Sequence, residues 1–461
     1  MALRDQIPEL IKHYEDNKPF LTHNKNIFEI LEGDLLDKVE KELREQLVSA
    51  NATEQAASLI PPINILRRVV DKLTKIYSNT VIRTASEERY QPVVEYYVKQ
   101  FDLNTKFNEV NRFFNSTKYS AVEPFIYKDE PNLRVLLPDQ FLPYSDDNIN
   151  PVIPTAIIKS QGEITKESGS KSTLLFITSD DEFIAVDTDG DIHPEFMVDN
   201  AGENPFGIIP TSYANKSRHL LIPLEDSDTM KMSILLPLLL SHLNYAIKFQ
   251  SHSILYGIDI DGQNLSMNPD SFWILKSDAA GKKPEIGSLK PDVDIKTVDA
   301  HIMEMFELWM ETRNIRVNTS GRVQNAISGV SLAIKEMDTT SDRKEQINYF
   351  IDYEKDFWTR MINIHNTWLS KGIVKGMPQL PEDFEVKVEF EEPKTLESKS
   401  DKITRLKEER DAGFTTTKRA IIELNPRMKE EEIDELLSEI EGEQRIIIDA
   451  KERSPGNDQD Q

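Results

Sequence analysis

Cysteine is missing from all 461 residues. That excludes a disulfide framework, a thiolate zinc site, an iron–sulfur cluster and a cysteine nucleophile. A surplus of positive charge is missing too: 55 Lys and Arg face 80 Asp and Glu, giving a net charge of −25 and a pI near 4.8. A surface this acidic repels phosphate, so the chain does not read as a protein that grips DNA over its whole surface. It remains compatible with letting DNA pass. A long apolar run is also lacking. The most apolar stretch, Ile234–Leu240 (ILLPLLL), is bounded by Ser233, Ser241 and His242 and is too short to span a bilayer. It reads as a buried helix at a subunit or domain interface, with no membrane partner. The opening MALRDQIPELIKHYEDN has no apolar h-region, so a soluble protein made in the cytoplasm is expected. What is present suffices for two or three domains: 38% of residues are hydrophobic, enough for several cores.

The first third has helical spacing. Ile27, Ile30, Leu31, Leu35, Val39, Leu43 and Leu47 predict a helix over 27–48, and Pro61-Pro62 open another over 63–77. Ser86 is a cap for a helix to Phe101, and a further helix covers 104–114. From about Ala121, short β-rich runs alternate with turns at 134–137, 152–159, 173–178 and 183–187, predicting a small antiparallel sheet domain. Helix returns over 228–251, with a kink or break expected at Pro237. A compact β-like insertion, 254–293, separates it from a helix over 295–315 striped by Val298, Ile302, Met305, Phe306 and Trp309. The stretch VNTSGRVQNAISG, 317–329, is small, polar and loop-like. The longest helix is expected over 330–369, followed by the strictly alternating strand FEVKVEF, 384–390. Charged helices over 396–411, to Leu424 and over 428–442 precede a tail without apolar anchors.

The motifs of common chemistry fail one by one. Gly169-Ser170-Lys171-Ser172-Thr173 lacks the P-loop's glycine spacing and reads as a hairpin tip; no GxGxxG occurs. Asp187-Thr188-Asp189-Gly190-Asp191 begins like an EF-hand, but Gly190 is fourth instead of sixth and Val198 stands at the twelfth position. A β-turn fits better there and at Asp259-Ile260-Asp261-Gly262, with a weak divalent-cation site left open at both. HExxH and G-x-S-x-G are not found, and His242 and His365 lie among apolar residues, as packed histidines do. No enzyme, cofactor or metal is expected.

The order of segments carries more. A helix leads to a β insertion, a second helix returns, and a polar loop, a long helix, a strand and a charged helical tail follow. Within that order the chain resembles the portal proteins of tailed bacteriophages. The stretches that carry the resemblance are Asn204-Pro205-Phe206-Gly207-Ile208-Ile209-Pro210, Glu225-Asp226-Ser227-Asp228, Ser328-Gly329-Val330-Ser331-Leu332-Ala333-Ile334-Lys335 and Gly413-Phe414-Thr415-Thr416-Thr417-Lys418. It covers about Pro61 to Glu443, and Pro237 inside the first stem helix departs from it.

The resemblance implies an α+β, mostly helical portal fold with wing, stem, clip and crown, assembled as a ring, usually of twelve subunits, at one capsid vertex. On that frame the helical and β part of the wing is 1–226, the first stem helix 227–253, the clip 254–294 and the second stem helix 295–316. The tunnel loop is 317–329, the long wing helix and strand 330–394, the helical crown 395–447 and a disordered tail 448–461. Implied partners are double-stranded DNA in the channel, the terminase large subunit, head-completion or adaptor proteins, and the major capsid and scaffold proteins. Arg322 is the sole charge between Val317 and Gly329, and around a ring it would form one narrow positive belt. Asn318, Thr319, Ser320, Gln324 and Asn325 would offer weak, exchangeable hydrogen bonds, with Gly321 and Gly329 as hinges. In the clip, Lys282 and Lys283 with Trp273 are the docking candidates; Trp273 equally suits closing a small β core with Phe272 and Ile274. Arg322 equally suits an ordinary solvated loop. Two other classes stay open: an acidic scaffold or adaptor assembling through its long helix, and a hydrolase using Asp187, Asp189 and Asp191.

Overall fold

The computed structural model describes residues 3–46, 54, 56–166, 169–197, 202–217, 219–224, 227–251, 254–258, 285–289, 294–312, 316–317, 337–338, 340–391, 399–424, 433 and 436–438. In chain order its main elements are α1 (Ile7–Asp16), α2 (Lys18–Glu32), α3 (Leu35–Gln46), α4 (Ile65–Leu73), β1 (Val81–Ala85), α5 (Gln91–Gln100) and α6 (Leu103–Thr117). The strands β2 (Tyr119–Tyr127), β3 (Glu130–Leu136), β4 (Phe141–Tyr144), β5 (Ala156–Thr165), β6 (Lys171–Ser179), β7 (Phe183–Asp187) and β8 (Ser212–Asn215) follow. Then come α7 (Ser227–Ser251), β9 (Ile254–Ile258), β10 (Glu285–Leu289), α8 (Ile295–Thr312), β11 (Arg316–Val317), β12 (Met337–Asp338), α9 (Thr340–Ser370), β13 (Val386–Phe390), α10 (Lys399–Asp411) and α11 (Thr417–Leu424). The mixture is α+β. The chain divides into two compact units, 1–391 and 392–461.

In the larger unit, α9 is the central strut. Its inner face carries Phe350, Tyr353, Phe357, Trp358, Met361, Ile364 and Trp368, all buried, against α5, α6 and β1. The rings meet edge-on, as their quadrupoles favour: Phe107 and Phe357 lie 5.2 Å apart at 88°. Strand β13, expected from its alternation, pairs antiparallel with β1, Val81 opposite Phe390. That pairing joins segments some three hundred residues apart.

The sheet region splits into β3-β2-β8 and β4-β5-β6-β7, both antiparallel. A second core lies between the four-stranded sheet and α1 and α2, built on Leu10, Phe20, Phe141, Ile157 and Ile177. One buried carboxylate bridges the sheets. Glu123 of β2 receives Lys159 of β5 at 2.5 Å and Arg134 of β3 at 2.8 Å. Burial pushes the Glu123 pKa up, but the two cations outweigh it and hold the carboxyl below its ordinary value.

Several expectations need correction. The helix expected over 27–48 is two helices, because Gly33 takes φ +127 and the N–H groups of Gly33 and Asp34 both donate to the Glu29 carbonyl. Ser86 caps no helix: its N–H donates to the Glu385 carbonyl, and α5 starts only at Gln91. The long helix begins at Thr340 instead of Val330, since Met337–Asp338 is a strand paired with Arg316–Val317. The helix α7 continues through Pro237 without a break. The expected tail at 448–461 and most of the 428–442 helix lie outside the described residues.

In the smaller unit, α10 ends on Gly413 at φ +81, with the Phe414 N–H reaching back to the Glu409 carbonyl. Thr416 then caps α11 by accepting from the Arg419 N–H at 3.2 Å. Arg405 bridges the two helices, with Glu409 and Glu423 each at 2.7 Å.

Candidate functional site

Helix α7 carries apolar residues on two faces because it is packed on two sides. Leu236, Leu240 and Leu243 meet α4 and the Ile302, Phe306 and Trp309 face of α8. Leu238, on another face and joined by Met230, Ile234 and Tyr245, packs toward α2, α3 and Val70 of α4. A third stripe, Ser233, Ser241 and Asn244, serves backbone. Ser233 Oγ accepts the Leu66 N–H at 2.9 Å and donates to the Thr229 carbonyl. Ser241 Oγ donates to the Ala56 carbonyl, and Asn244 to that of Leu59. By length and composition alone, 228–248 is a helix able to cross a membrane, which the shorter ILLPLLL run is not; in the fold it is partly buried by these neighbours.

The antiparallel pair β9–β10, Ile254 opposite Leu289, sits between α7 and α8 in the chain. A groove of about 330 Å³ runs between the two helices, lined by Leu235, Leu239, His242, Val298 and Met305 among others. Burial lowers the pKa of His242. On α8, Glu304, Glu307 and Glu311 recur at helical spacing and are exposed, so one face of this helix is acidic. Beyond α8, β11 and β12 pair antiparallel through Val317 and Met337, so the two residues that flank 318–336 lie side by side.

The residues singled out from sequence fall in the two segments that these hairpins frame. Asn318, Thr319, Ser320, Gly321, Arg322, Gln324, Asn325 and Gly329 lie outside the described residues, as do Trp273, Lys282 and Lys283. The remaining candidates are placed. Asp187, Asp189 and Asp191 surround the ammonium of Lys166 at 2.9, 2.7 and 2.7 Å. Asp187 also accepts the N–H groups of Asp189 and Asp191 and faces His193 Nε2 at 3.1 Å. Burial opposes its charge, yet Lys166, His193 and those N–H groups hold its carboxyl at about 2. The acidic turn is thus bound to an internal cation, and no group of three or more His, Asp or Glu among the described residues is arranged to hold a metal. His365 is a satisfied core histidine, with Nδ1 2.8 Å from the Tyr97 hydroxyl and Nε2 3.0 Å from the Pro378 carbonyl. Burial lowers its pKa.

The family model for phage portal proteins of the SPP1 Gp6-like type matches residues 8–445, nearly the whole chain. The chain belongs to that portal family. No curated protein sequence matches it. Family membership makes this a structural portal protein of a bacteriophage virion, one of a class that assembles as rings at a capsid vertex among capsid and packaging partners. Two features of the portal chain escaped the sequence reading. The acidic face of α8 was signalled by the spacing of Glu304, Glu307 and Glu311. The partner of the Asp187 turn was not signalled, since Lys166 reaches it from the far end of β5.

Proposed function

We propose that copies of this chain close into a ring whose axial channel passes double-stranded DNA during packaging and ejection. The observation that carries this is the match of 8–445 to the portal family, joined to the helix–hairpin–helix order of α7, β9–β10 and α8. On this reading α7 and α8 are the stem, 254–294 is the clip that docks the terminase motor and then head-completion proteins, and 317–329 is the tunnel loop. Segments 1–226 and 330–394 are the wing, and 395–447 the crown. Trp273, Lys282 and Lys283 are the docking residues. The number of subunits, twelve in the usual form, belongs to the same proposal.

Electrostatics favours the assignment. Every Lys or Arg that neutralises a phosphate releases counterions and deepens binding, and ring symmetry multiplies each contact. A wall that lets a duplex slide therefore carries few cations. The net charge of −25 and the exposed Glu304, Glu307 and Glu311 suit such a wall. Arg322 then gives one belt of weak, repeated phosphate contacts, with Asn318, Thr319, Ser320, Gln324 and Asn325 beside it and Gly321 and Gly329 as hinges. Arg322→Ala is expected to leave ring assembly intact and to lower the yield of packaged DNA in a procapsid packaging assay. An unchanged yield would remove Arg322 from the channel's function.

A further inference from the structure

Strand β7 is the last strand of its sheet, with β6 along one side and no named strand along the other. An uncovered edge offers unpaired N–H and C=O groups to any strand that meets it. The chain covers this edge with its own next segment. After the turn at 187–191 the backbone doubles back antiparallel and brings Ile192 beside Val186. The Asp187 N–H donates to the Asp191 carbonyl at 3.0 Å, and the His193 N–H donates to the Ala185 carbonyl at 2.9 Å. At the strand's other end the Phe183 N–H donates to the Gly202 carbonyl at 2.8 Å. The cover at 191–193 is short beside an ordinary strand of about five or six residues, so its side chains matter to its hold.

The His193 side chain supplies that hold. Its Nε2 lies 3.1 Å from Asp187 Oδ2, and its Nδ1 lies 3.0 Å from Glu195 Oε1. A neutral imidazole has one N–H and one lone pair. Whichever nitrogen carried the lone pair would then face a carboxylate oxygen, lone pair against lone pair. The imidazolium alone donates at both ends. The surrounding charges favour the same form. Lys166, from the end of β5, is the other cation of the cluster, and it is shared among Asp187, Asp189 and Asp191. Glu195 faces His193 from the following turn, and the Phe196 ring lies 6.1 Å away. Ala185 and Val186, the β7 residues beneath 192–193, carry no charge. Burial pulls the His193 pKa down, but the bonds to Asp187 and Glu195 outweigh it and hold the pKa above the ordinary 6.5.

We propose that His193, held as an imidazolium between Asp187 and Glu195, is a proton-dependent latch that pins residues 191–193 over the outer edge of β7. With the proton in place, the imidazolium ties the returning segment to the carboxylate that ends the strand. Once the proton leaves, one of the two contacts becomes repulsive and the segment is left to its backbone bonds. The sign follows from the raised pKa: the latch acts in full below 6.5 and is lost as pH rises through the higher folded value. Its release uncovers the β7 edge to pairing with another strand. The latch works within one chain and does not depend on ring closure.

Two measurements on the full chain test this. In an NMR titration of histidine-labelled protein, the signal missing from His193→Gln should titrate above 6.5, and Glu195→Gln should lower its midpoint while leaving the circular dichroism spectrum unchanged. Hydrogen exchange read by mass spectrometry on peptides within 183–197, corrected for the intrinsic pH dependence of exchange, should show protection falling as pH rises from about 6 to 9. The fall should be about tenfold for each unit by which the folded midpoint exceeds that of the released segment. His193→Gln should exchange faster than the unaltered chain at about pH 6 and show no such fall. A His193 midpoint at or below 6.5 overturns the inference. So does an equal fall of protection in His193→Gln. A raised midpoint with protection that stays level across the range overturns it as well, because the imidazolium would then be paired without holding the segment.

Discussion

Glu354 shows how much a single buried charge decides. Its carboxylate is fully buried on α9, where Arg83 of β1, its side chain 2% exposed, donates to both oxygens at 2.6 and 2.9 Å. Asn104 accepts a further guanidinium N–H at 2.9 Å. A charge in this surrounding is tolerable only while paired. Glu354→Ala is expected to cost about 3–5 kcal/mol in urea unfolding, whereas Arg83→Met with Glu354→Leu should come much closer to the unaltered chain. Nothing in the sequence sets Glu354 apart from the other acids of α9; the partner 271 residues away is set by tertiary pairing. Asp187, also buried, makes a parallel case at the β7 turn. Its folded pKa, about 2, lies below the ordinary 3.8, so its contribution is present above pH 4 and is lost as pH falls toward 2. Asp187→Asn should therefore lower the thermal midpoint at pH 6 and flatten its fall between pH 4 and 2, as read by circular dichroism. Parallel curves for both proteins would contradict this role. The turn at 187–191 was legible because Asp and Gly mark turns; Lys166 was not, because it arrives across a β hairpin.

Elements with strong periodicity were legible, and those held by partners were not. FEVKVEF announces a strand by alternation, yet its mate, Val81–Ala85, interrupts its apolar residues with Arg83 and Thr84 and was missed. Gly33 divides a helix whose apolar spacing runs on unbroken, since periodicity does not register a backbone turn. A kink or break was expected at Pro237; the break does not occur, and α7, packed on two faces, runs on through it. The same packing fixes α4 in place. Its N-terminal donors are met by Asn64, which accepts from the Arg67 N–H at 2.9 Å, and by Ser233 from α7. Ser233→Ala strips the buried Leu66 N–H of its acceptor and should cost about 1–3 kcal/mol, measured by urea unfolding. Ser233→Thr, which keeps the oxygen, should recover part of that loss. Equal losses in both variants would point to packing in place of the hydrogen bond.

At the scale of the whole molecule, the order of segments was the legible part of the candidate site. Helix, hairpin, helix, loop and long helix can each be read from spacing and turn residues, and the portal family match over 8–445 supports the family reading that this order suggested. Which side chains face an axis cannot be read from one sequence, because neighbouring copies create that axis. On the proposed ring reading, the exposed Glu304, Glu307 and Glu311 face and the net charge of −25 are repeated around the channel. The most direct measurement is cryo-electron microscopy of the purified chain viewed end-on and refined with side chains. The account predicts a closed ring with an open axial hole, α7 and α8 around it, and a wall on which carboxylates outnumber cations. A solid particle, or a channel wall densely lined with Lys and Arg, would contradict it.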